Sequence, residues 1–323
     1  MTGKYLLRRA GAVLLLACCA GPAAAQNYPG KPIRLVIPFP PGGSNDIVGR
    51  MVGAQLTERL GTQVVVDNRG GAGGLLGTEI VARAPPDGYA LLIISVAYAF
   101  NPSLYKLSFD PEKAFAAVAI LGTGPNALAV HPALPAKSVK ELVALAKARP
   151  GQLLYASAGI GTFQHLGSEL FRIMAGVTMT HVPFKGGGPA MIDVISGNTQ
   201  ISIGSLIQTL PHIRSGRLRA LGTGGARRSQ VLPDVPTIAE GGVPGYEANN
   251  WWGVLAPAGT PPAIVGRLHQ ELTEILKSAE TQKRFQSEGA EAVYMSSAEF
   301  GRFITAETAK WGKVVKQAGI RAE

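Results

Sequence analysis

The chain has 323 residues, 46% of them hydrophobic, a formal net charge of +10 and two cysteines. That is enough chain for two cores of ordinary domain size. The basic residues are scattered, with no Lys/Arg run longer than two, which argues against nucleic acid as a partner and for a solvated basic surface that favours small anions.

The N-terminus reads as a secretory signal peptide over residues 1–25. Lys4, Arg8 and Arg9 form a basic region, Ala10 to Ala20 an apolar stretch, and Ala23-Ala24-Ala25 a cleavage site before Gln26. The apolar stretch is shorter than the roughly 20 residues a membrane-spanning helix needs. Three of the positive charges and both cysteines, Cys18 and Cys19, belong to this leader. The mature chain is therefore expected to use neither disulfides nor thiolate chemistry. Leu15-Leu16-Ala17-Cys18 also resembles a weak lipobox, which would make Cys18 a lipidated N-terminus; the Ala-Ala-Ala site is favoured over it.

Ile33-Arg34-Leu35-Val36-Ile37 predicts a strand over 33–38. Asn45 to Leu60 predicts a helix with Ile47, Val48, Met51, Val52, Leu56 and Leu60 on one face and Gly61 as its stop. The intervening loop, Phe39-Pro40-Pro41-Gly42-Gly43-Ser44-Asn45-Asp46, is poor in side-chain bulk and brings backbone N–H groups to a helix N-terminus. One reading makes it an ordinary connection with Ser44 as N-cap and Asp46 complementing the dipole. The other makes it an anion site, where the helix dipole is worth about 0.3–1 kcal/mol. Two later loops repeat the theme and favour the anion site. Ala156-Ser157-Ala158-Gly159-Ile160-Gly161-Thr162 has Thr162 as N-cap, and Pro183-Phe184-Lys185-Gly186-Gly187-Gly188-Pro189 has Pro189 at the first helical position.

Further strands are predicted at 63–66, 90–95, 118–121, 127–130, 153–156, 179–183, 201–204, 218–222 and 251–256, with helices between them. Ser138-Val139-Lys140-Glu141 and Thr237-Ile238-Ala239-Glu240 have capping-box spacing. The alternation argues for an α/β fold with mostly parallel sheets covered on both faces. A bilobal organisation puts lobe 1 at 26–125 plus 250–323 and lobe 2 at 126–249. Gly122-Thr123-Gly124-Pro125 and Gly241-Gly242-Val243-Pro244-Gly245 flank the crossovers.

Enzyme chemistry finds no anchor. His131, His165, His181, His212 and His269 lie far apart without metal-site spacing, so no metal, catalytic residue or cofactor is expected. His165 stands in the first turn after Gly161, where a structural or ligand-orienting role is favoured over a general base. No G-x-S-x-G occurs, and Lys185-Gly186-Gly187-Gly188 reverses the P-loop order. Gly71-Ala72-Gly73-Gly74-Leu75-Leu76-Gly77 loosely matches a dinucleotide fingerprint, but Asp67-Asn68-Arg69-Gly70 separates it from its strand. A compact turn that packs the second helix close to the sheet is the better reading.

Tyr28-Pro29-Gly30-Lys31-Pro32-Ile33, the 38–46 loop, Val66-Asp67-Asn68-Arg69-Gly70-Gly71-Ala72-Gly73-Gly74 and Asp87-Gly88-Tyr89 resemble the Bug family of extracytoplasmic solute receptors. So do Gly159-Ile160-Gly161-Thr162-Phe163-Gln164-His165-Leu166, His181-Val182-Pro183-Phe184-Lys185-Gly186-Gly187, Leu232-Pro233-Asp234-Val235-Pro236-Thr237 and Trp252-Gly253-Val254-Leu255-Ala256-Pro257. The family is related to the substrate-binding component of tripartite tricarboxylate transporters, and the resemblance covers essentially the whole mature chain.

It implies a periplasmic binding protein type II (Venus flytrap) fold, two doubly wound lobes joined by two crossover strands, with a small carboxylate closed between them. The ligand-binding residues carried over are Phe39, Gly42, Gly43, Ser44 and Asp46, then Tyr98 and Asn101, then Ser157, Gly161, Thr162 and His165, then Lys185, Gly187 and Ser205. Ser157 and Thr162 would donate hydroxyls and the glycines their N–H groups. Tyr98 suggests a preference for an aromatic acid. The implied partners are membrane permease subunits or a sensor, with the protein a periplasmic monomer. An exported enzyme using His165, or an orphan ligand sensor, are the alternatives.

Overall fold

The run Ile33–Ile37 is buried on both faces and forms β1, with β2 (Val64–Asn68) and β3 (Ala90–Ser95) parallel to it on either side. In this computed structural model residues 28–317, 319 and 320 are described; the signal peptide and the alternative lipid site at Cys18 lie outside them. Helix α1 (Ser44–Leu60) returns from the top of β1 and stops at Gly61, whose φ of 62° is left-handed. Its buried face, Val48, Met51, Val52 and Leu56, packs with Ile33, Leu35, Ile37, Leu91 and Ile93 into the core of lobe 1. A single 3₁₀ turn, Ala72–Gly74, leads into α2 (Leu75–Ala82). A Cβ at Gly77 would lie 2.7 Å from Pro38 Cα, so the absence of a side chain there seats α2 against the end of β1. This is the compact turn expected from the glycines.

Helix α3 (Val96–Leu104) follows β3 directly, and the chain then enters β4 (Phe115–Val130). Where Gly122-Thr123-Gly124-Pro125 suggested a break between two strands, β4 runs unbroken through it. Its first part pairs with β9 (Asn249–Pro257) as far as Pro125↔Asn249, and from Asn126↔Ser205 onward it pairs with β7 (Ile201–Ser205). Pairing with β9 along its whole length, and with Glu291 and Ala292 at Thr123 and Gly122, holds the glycine-rich stretch extended, and register shifts near Ala117–Ala119 and Ile120–Gly122 absorb its irregularity.

The second lobe contains α4 (Val139–Ala148), β5 (Leu154–Ser157), α5 (Phe163–Ala175), β6 (Thr180–Pro183), α6 (Gly187–Ile195), β7, α7 (Leu206–Arg214) and β8 (Arg219–Thr223). Strands β6 and β7 lie parallel to β5 on its two sides. Of the two capping boxes the second closes reciprocally, while at the first the Glu141 carboxylate reaches past Ser138 to the Lys137 N–H at 2.7 Å. Ser138 Oγ accepts the Glu141 N–H at 3.1 Å, and Thr237 Oγ1 accepts the Glu240 N–H at 3.0 Å while Glu240 Oε2 accepts the Thr237 N–H at 2.9 Å. The second box closes only one turn, because Gly241-Gly242 follows it.

After β9 the chain adds α8 (Pro262–Lys277), α9 (Ala279–Ser287), the short β10 (Glu291–Ala292) and α10 (Ser297–Gln317) to lobe 1. Glu307 on α10 accepts both the Trp251 Nε1–H at 3.1 Å and the Trp311 Nε1–H at 3.0 Å, which locks this helix onto the crossing strand β9. The strand order is β2-β1-β3-β9-β4-β7-β5-β6, with β8 and β10 also pairing β4. The pairings are parallel at the outer strands and antiparallel wherever β4 or β9 takes part. One strand leaves lobe 1 as the other returns, so they must run in opposite directions, and the sheets are more mixed than the strand–helix alternation alone suggested. Among the described residues no helix is long and apolar enough to cross a membrane.

Candidate functional site

Five helix N-termini converge on one cavity of about 40 Å³ between the lobes. Helix α1 supplies Gly43, Ser44 and Asn45; α3 supplies Ala97 and the preceding Ser95; α5 supplies Thr162, Phe163 and Gln164; α6 supplies Gly187; and α7 supplies Gln208 and the preceding Ser205. Phe39, Ala158 and Asn250 complete the wall. The first N–H groups of each helix have no intrahelical acceptor and carry the positive end of its dipole. Among the described residues lining this wall none is ionisable. A water needs about 10–15 Å³ on this measure, so the closed cavity has room for a few water-sized polar groups between the helix starts.

The cavity is small because the rims of the lobes touch. Tyr105 Oη–H donates to the Ile160 carbonyl at 3.0 Å across the cleft. A Cβ at Gly188 would lie 2.6 Å from the Pro41 carbonyl oxygen, and one at Gly186 would lie 2.7 Å from the Pro40 ring. Glycines at the start of α6 thus allow the two loops to meet backbone to backbone.

Asn250, at the beginning of β9 and 1% exposed, ties three of the helix starts together. Its Oδ1 accepts the N–H groups of Val96 (3.4 Å) and Trp251 (3.0 Å), and its Nδ2 donates to Ser44 Oγ (3.4 Å) and Ser205 Oγ (3.3 Å). Ser44 Oγ also accepts from Trp252 Nε1 at 3.4 Å. The N-cap of α1 is accordingly Gly43, without a side-chain cap bond. Ser44 begins the helix with its hydroxyl turned to the crossing strand, not back to the helix as a cap. In the same way α6 begins at Gly187, which makes Pro189 its third residue.

Of the residues carried over from the sequence, Phe39, Gly43, Ser44, Thr162, Gly187 and Ser205 meet in this wall, and the others lie outside it. Gly42 faces Gly188 at the rim and gives its N–H to Asp46 Oδ2 at 3.0 Å. Asp46 turns away to Arg50 Nε (2.9 Å) and Asn68 Nδ2 (2.9 Å). Burial pushes this carboxyl up, but Arg50, the Gly42 N–H and Asn68 outweigh it and hold it below its ordinary range. Tyr98 packs edge-on against Phe115 in lobe 1 with its hydroxyl on the Pro111 carbonyl at 2.6 Å, so the argument it offered for an aromatic ligand falls away. Asn101 points to the Gly73 carbonyl at 3.5 Å. Lys185 is exposed between β6 and α6.

Ser157, Gly161 and His165 form a structural knot under the 159–162 loop. Ser157 Oγ lies 2.6 Å from His181 Nε2, and the Gly161 N–H donates to His165 Nδ1 at 3.3 Å. The His165 and His181 rings stack at 4.3 Å. Burial, only partly offset by Glu169, lowers the His165 pKa below that of an ordinary imidazole. Thr162 is the expected N-cap of α5, accepting the His165 N–H at 3.4 Å, but its hydroxyl donates to the Gly159 carbonyl at 2.7 Å. It lines the cavity without a free O–H to offer.

The wall also contains residues that sequence reasoning did not select, among them Asn45, Ser95, Gln164, Gln208 and Asn250. Gln164 lies two positions after Thr162 and Gln208 lies in the first turn after Ser205, so proximity to a helix start was the available signal. Asn250 had none beyond a polar pair before an apolar run.

Residues 48–320 match the family described as "Tripartite tricarboxylate transporter family receptor". Protein BugT of Bordetella pertussis is 38% identical over 328 residues, 99% of each chain. The solved structure "R. palustris Rpa4515 with adipate" superposes with a TM-score of 0.89 at 36% identity, covering 91% of this chain and 100% of that one. MatC from Rhodopseudomonas palustris with bound malate gives a TM-score of 0.84 at 30% identity, covering 89% and 100%. The architecture is thus the two-lobed periplasmic binding protein type II fold, and the chain belongs to the Bug family of tripartite tricarboxylate transporter receptors.

Proposed function

We propose that the protein is a periplasmic receptor that closes its lobes on a small carboxylate and delivers it to the membrane permease of a tripartite tricarboxylate-type transporter. The observation that carries this reading is the convergence of five helix starts on a cavity whose wall holds no ionisable side chain. Charge-assisted hydrogen bonds contribute about 1.5–3 kcal/mol each. A few of them, with the helix dipoles, approach the roughly −8 kcal/mol of a micromolar receptor without an arginine. The adipate and malate held by the two relatives support the same ligand class. Export through the N-terminal leader agrees with this role.

The ligand-contacting set we assign is Phe39, Gly43, Ser44, Thr162, Gly187 and Ser205, with Asn250 and Gln164 added. The lobe boundaries we assign are 26–125 with 250–323, and 126–249, supported by the change of β4 partner between Pro125 and Asn126. A receptor is favoured over an enzyme because His165, the one base the sequence offered, is 7% exposed, bonded to the Gly161 N–H and outside the cavity wall.

Native mass spectrometry of the protein as purified, followed by calorimetry on unfolded and refolded protein, tests the reading. Carboxylates are expected to bind while the corresponding amides do not, and the bound acid should be recovered unchanged. Absence of binding across a panel of mono- and dicarboxylates, or conversion of the acid, would overturn it.

A further inference from the structure

Gln164 is 5% exposed and lines the cavity, yet among the described residues its Oε1 has no hydrogen-bond partner. The direction of its amide is fixed by a relay. The Gly187 carbonyl can only accept, so Gln208 must turn Nε2 toward it, at 2.7 Å. That leaves Gln208 Oε1 facing Gln164, which must answer with its Nε2, at 3.2 Å. Flipping either amide would set like groups against each other. The relay also has room made for it: a Cβ at Gly187 would lie 2.9 Å from the Gln208 amide, and a Cβ at Gly204 would lie 2.7 Å from Gln164 Nε2. Gln164 Oε1 is therefore a committed acceptor held at the cavity, and a buried acceptor without a donor is an unstable arrangement.

The side of the cavity next to the crossing strand has the opposite character. Ser44 Oγ already accepts from Asn250 Nδ2 and Trp252 Nε1, both at 3.4 Å, so its own O–H remains to donate. The site thus offers donors at the start of α1 and an acceptor at the start of α5. An ammonium group does not suit that acceptor. It would bring three donors and a charge into a wall without a carboxylate, since Asp46 is turned away to Arg50 and Asn68. A hydroxyl needs one acceptor and brings no charge.

Resting on the carboxylate-receptor reading above, we propose that the site selects hydroxycarboxylates, with Gln164 Oε1 as the specificity-determining acceptor for the ligand hydroxyl. The test is calorimetry at neutral pH on refolded, ligand-free protein with acids that differ by one hydroxyl: malate against succinate, and lactate against propionate. The hydroxy member of whichever pair binds is expected to be tighter by about tenfold, equivalent to about 1.4 kcal/mol. The variant Q164M, similar in length and without the acceptor, should bring that ratio close to one, whereas a purely structural glutamine would weaken both members alike. Affinities within about twofold of each other in the native protein would mean that a water molecule fills the acceptor, and would overturn the proposal while leaving the carboxylate receptor intact. Failure of these four acids while other carboxylates of the wider panel bind would overturn this proposal alone; failure of the whole panel would remove the receptor reading and this one with it.

Discussion

The proposed lobe closure brings Pro41 against glycine at position 188, and replacing that glycine with alanine separates closure from folding. A Cβ there would stand 2.6 Å from the Pro41 carbonyl oxygen of the opposite lobe, roughly 1 Å inside the separation at which such atoms attract. The oxygen belongs to backbone held between two prolines' worth of rigid loop, Pro40-Pro41, so the lobes must part instead. Contacts across the cleft should lengthen with them, starting with Tyr105 Oη–H to the Ile160 carbonyl at 3.0 Å, together with the ligand's bonds to whichever lobe recedes. Losing one charge-assisted bond of about 1.5–3 kcal/mol weakens binding by about ten- to a hundredfold. Stability should not fall, because Gly188 lies in the first turn of α6 and alanine is the better helix former by up to about 1 kcal/mol. Calorimetry with a carboxylate that binds the native protein, alongside thermal unfolding of the ligand-free variant, reads both quantities. A native Kd at a native or raised Tm would refute the reasoning, since the Pro41–Gly188 approach would then be irrelevant to the liganded state.

At Gly43 a Cβ would find its nearest neighbours 3.9 Å away, so Gly43→Ala should bind nearly normally while Gly43→Val fills the cavity and abolishes binding; equal behaviour of the two in calorimetry would contradict the site. Thr162→Ala removes the N-cap of α5 and its bond to Gly159, which should cost about 0.5–2 kcal/mol in a denaturant melt; no measurable change would show the cap to be dispensable. Tyr98→Phe loses only the bond to the Pro111 carbonyl, so ligand affinity should be unchanged and stability lower by about 1 kcal/mol; a drop in affinity would restore Tyr98 to the site. Because burial lowers the His165 pKa in the folded state, the unfolded chain takes up that proton first as the pH falls. The associated stability is complete above the unfolded value near 6.5 and is lost as the pH falls from there toward the lower folded pKa, at up to about 1.4 kcal/mol per pH unit. His165→Asn should flatten that part of the Tm–pH curve, and identical slopes for the two proteins would count against it.

The elements legible in advance were those in which local and tertiary preferences agree. Ile33–Ile37, the amphipathic helix stopping at Gly61 and the caps at Ser138 and Thr162 each carry their signal within a few residues. Gly122-Thr123-Gly124-Pro125 misled because its breaking tendency is local, whereas the pairing with β9 and β10 that overrides it joins residues more than a hundred positions ahead, which no window along the chain can register. The candidate site divides in the same way. Backbone donors at Gly43 and Gly187 follow from the loops themselves, but the direction of a side chain does not. Asp46 and His165 carry the chemistry a ligand would need and point it into their own lobe. Gln164, one and two positions from residues that were selected, lines the cavity with its amide set by a relay built from three separate helices.

On the proposed reading, the position of the cavity at the crossing strands lets neutral groups take the part an arginine could play. Rotation about β4 and β9 moves atoms in proportion to their distance from those strands. The rim pairs Pro41–Gly188 and Tyr105–Ile160 would therefore separate first on opening, whereas Ser44 and Ser205, beside those strands, share the Asn250 amide and would move least. The donors beside the hinge are oriented before a ligand arrives, and their ordering does not have to be supplied at binding. A guanidinium would make the stronger single bond, but it would bring a long side chain whose immobilisation costs about 0.5–1.5 kcal/mol. It would also put a charge into the cleft that becomes unpaired and buried whenever the lobes close without an anion. Helix starts avoid both penalties, because their partial charges are fixed in the backbone and shared over several N–H groups. A receptor that must release its ligand as readily as it takes it up gains from that arrangement, since the lobes can reopen without breaking any strong ion pair.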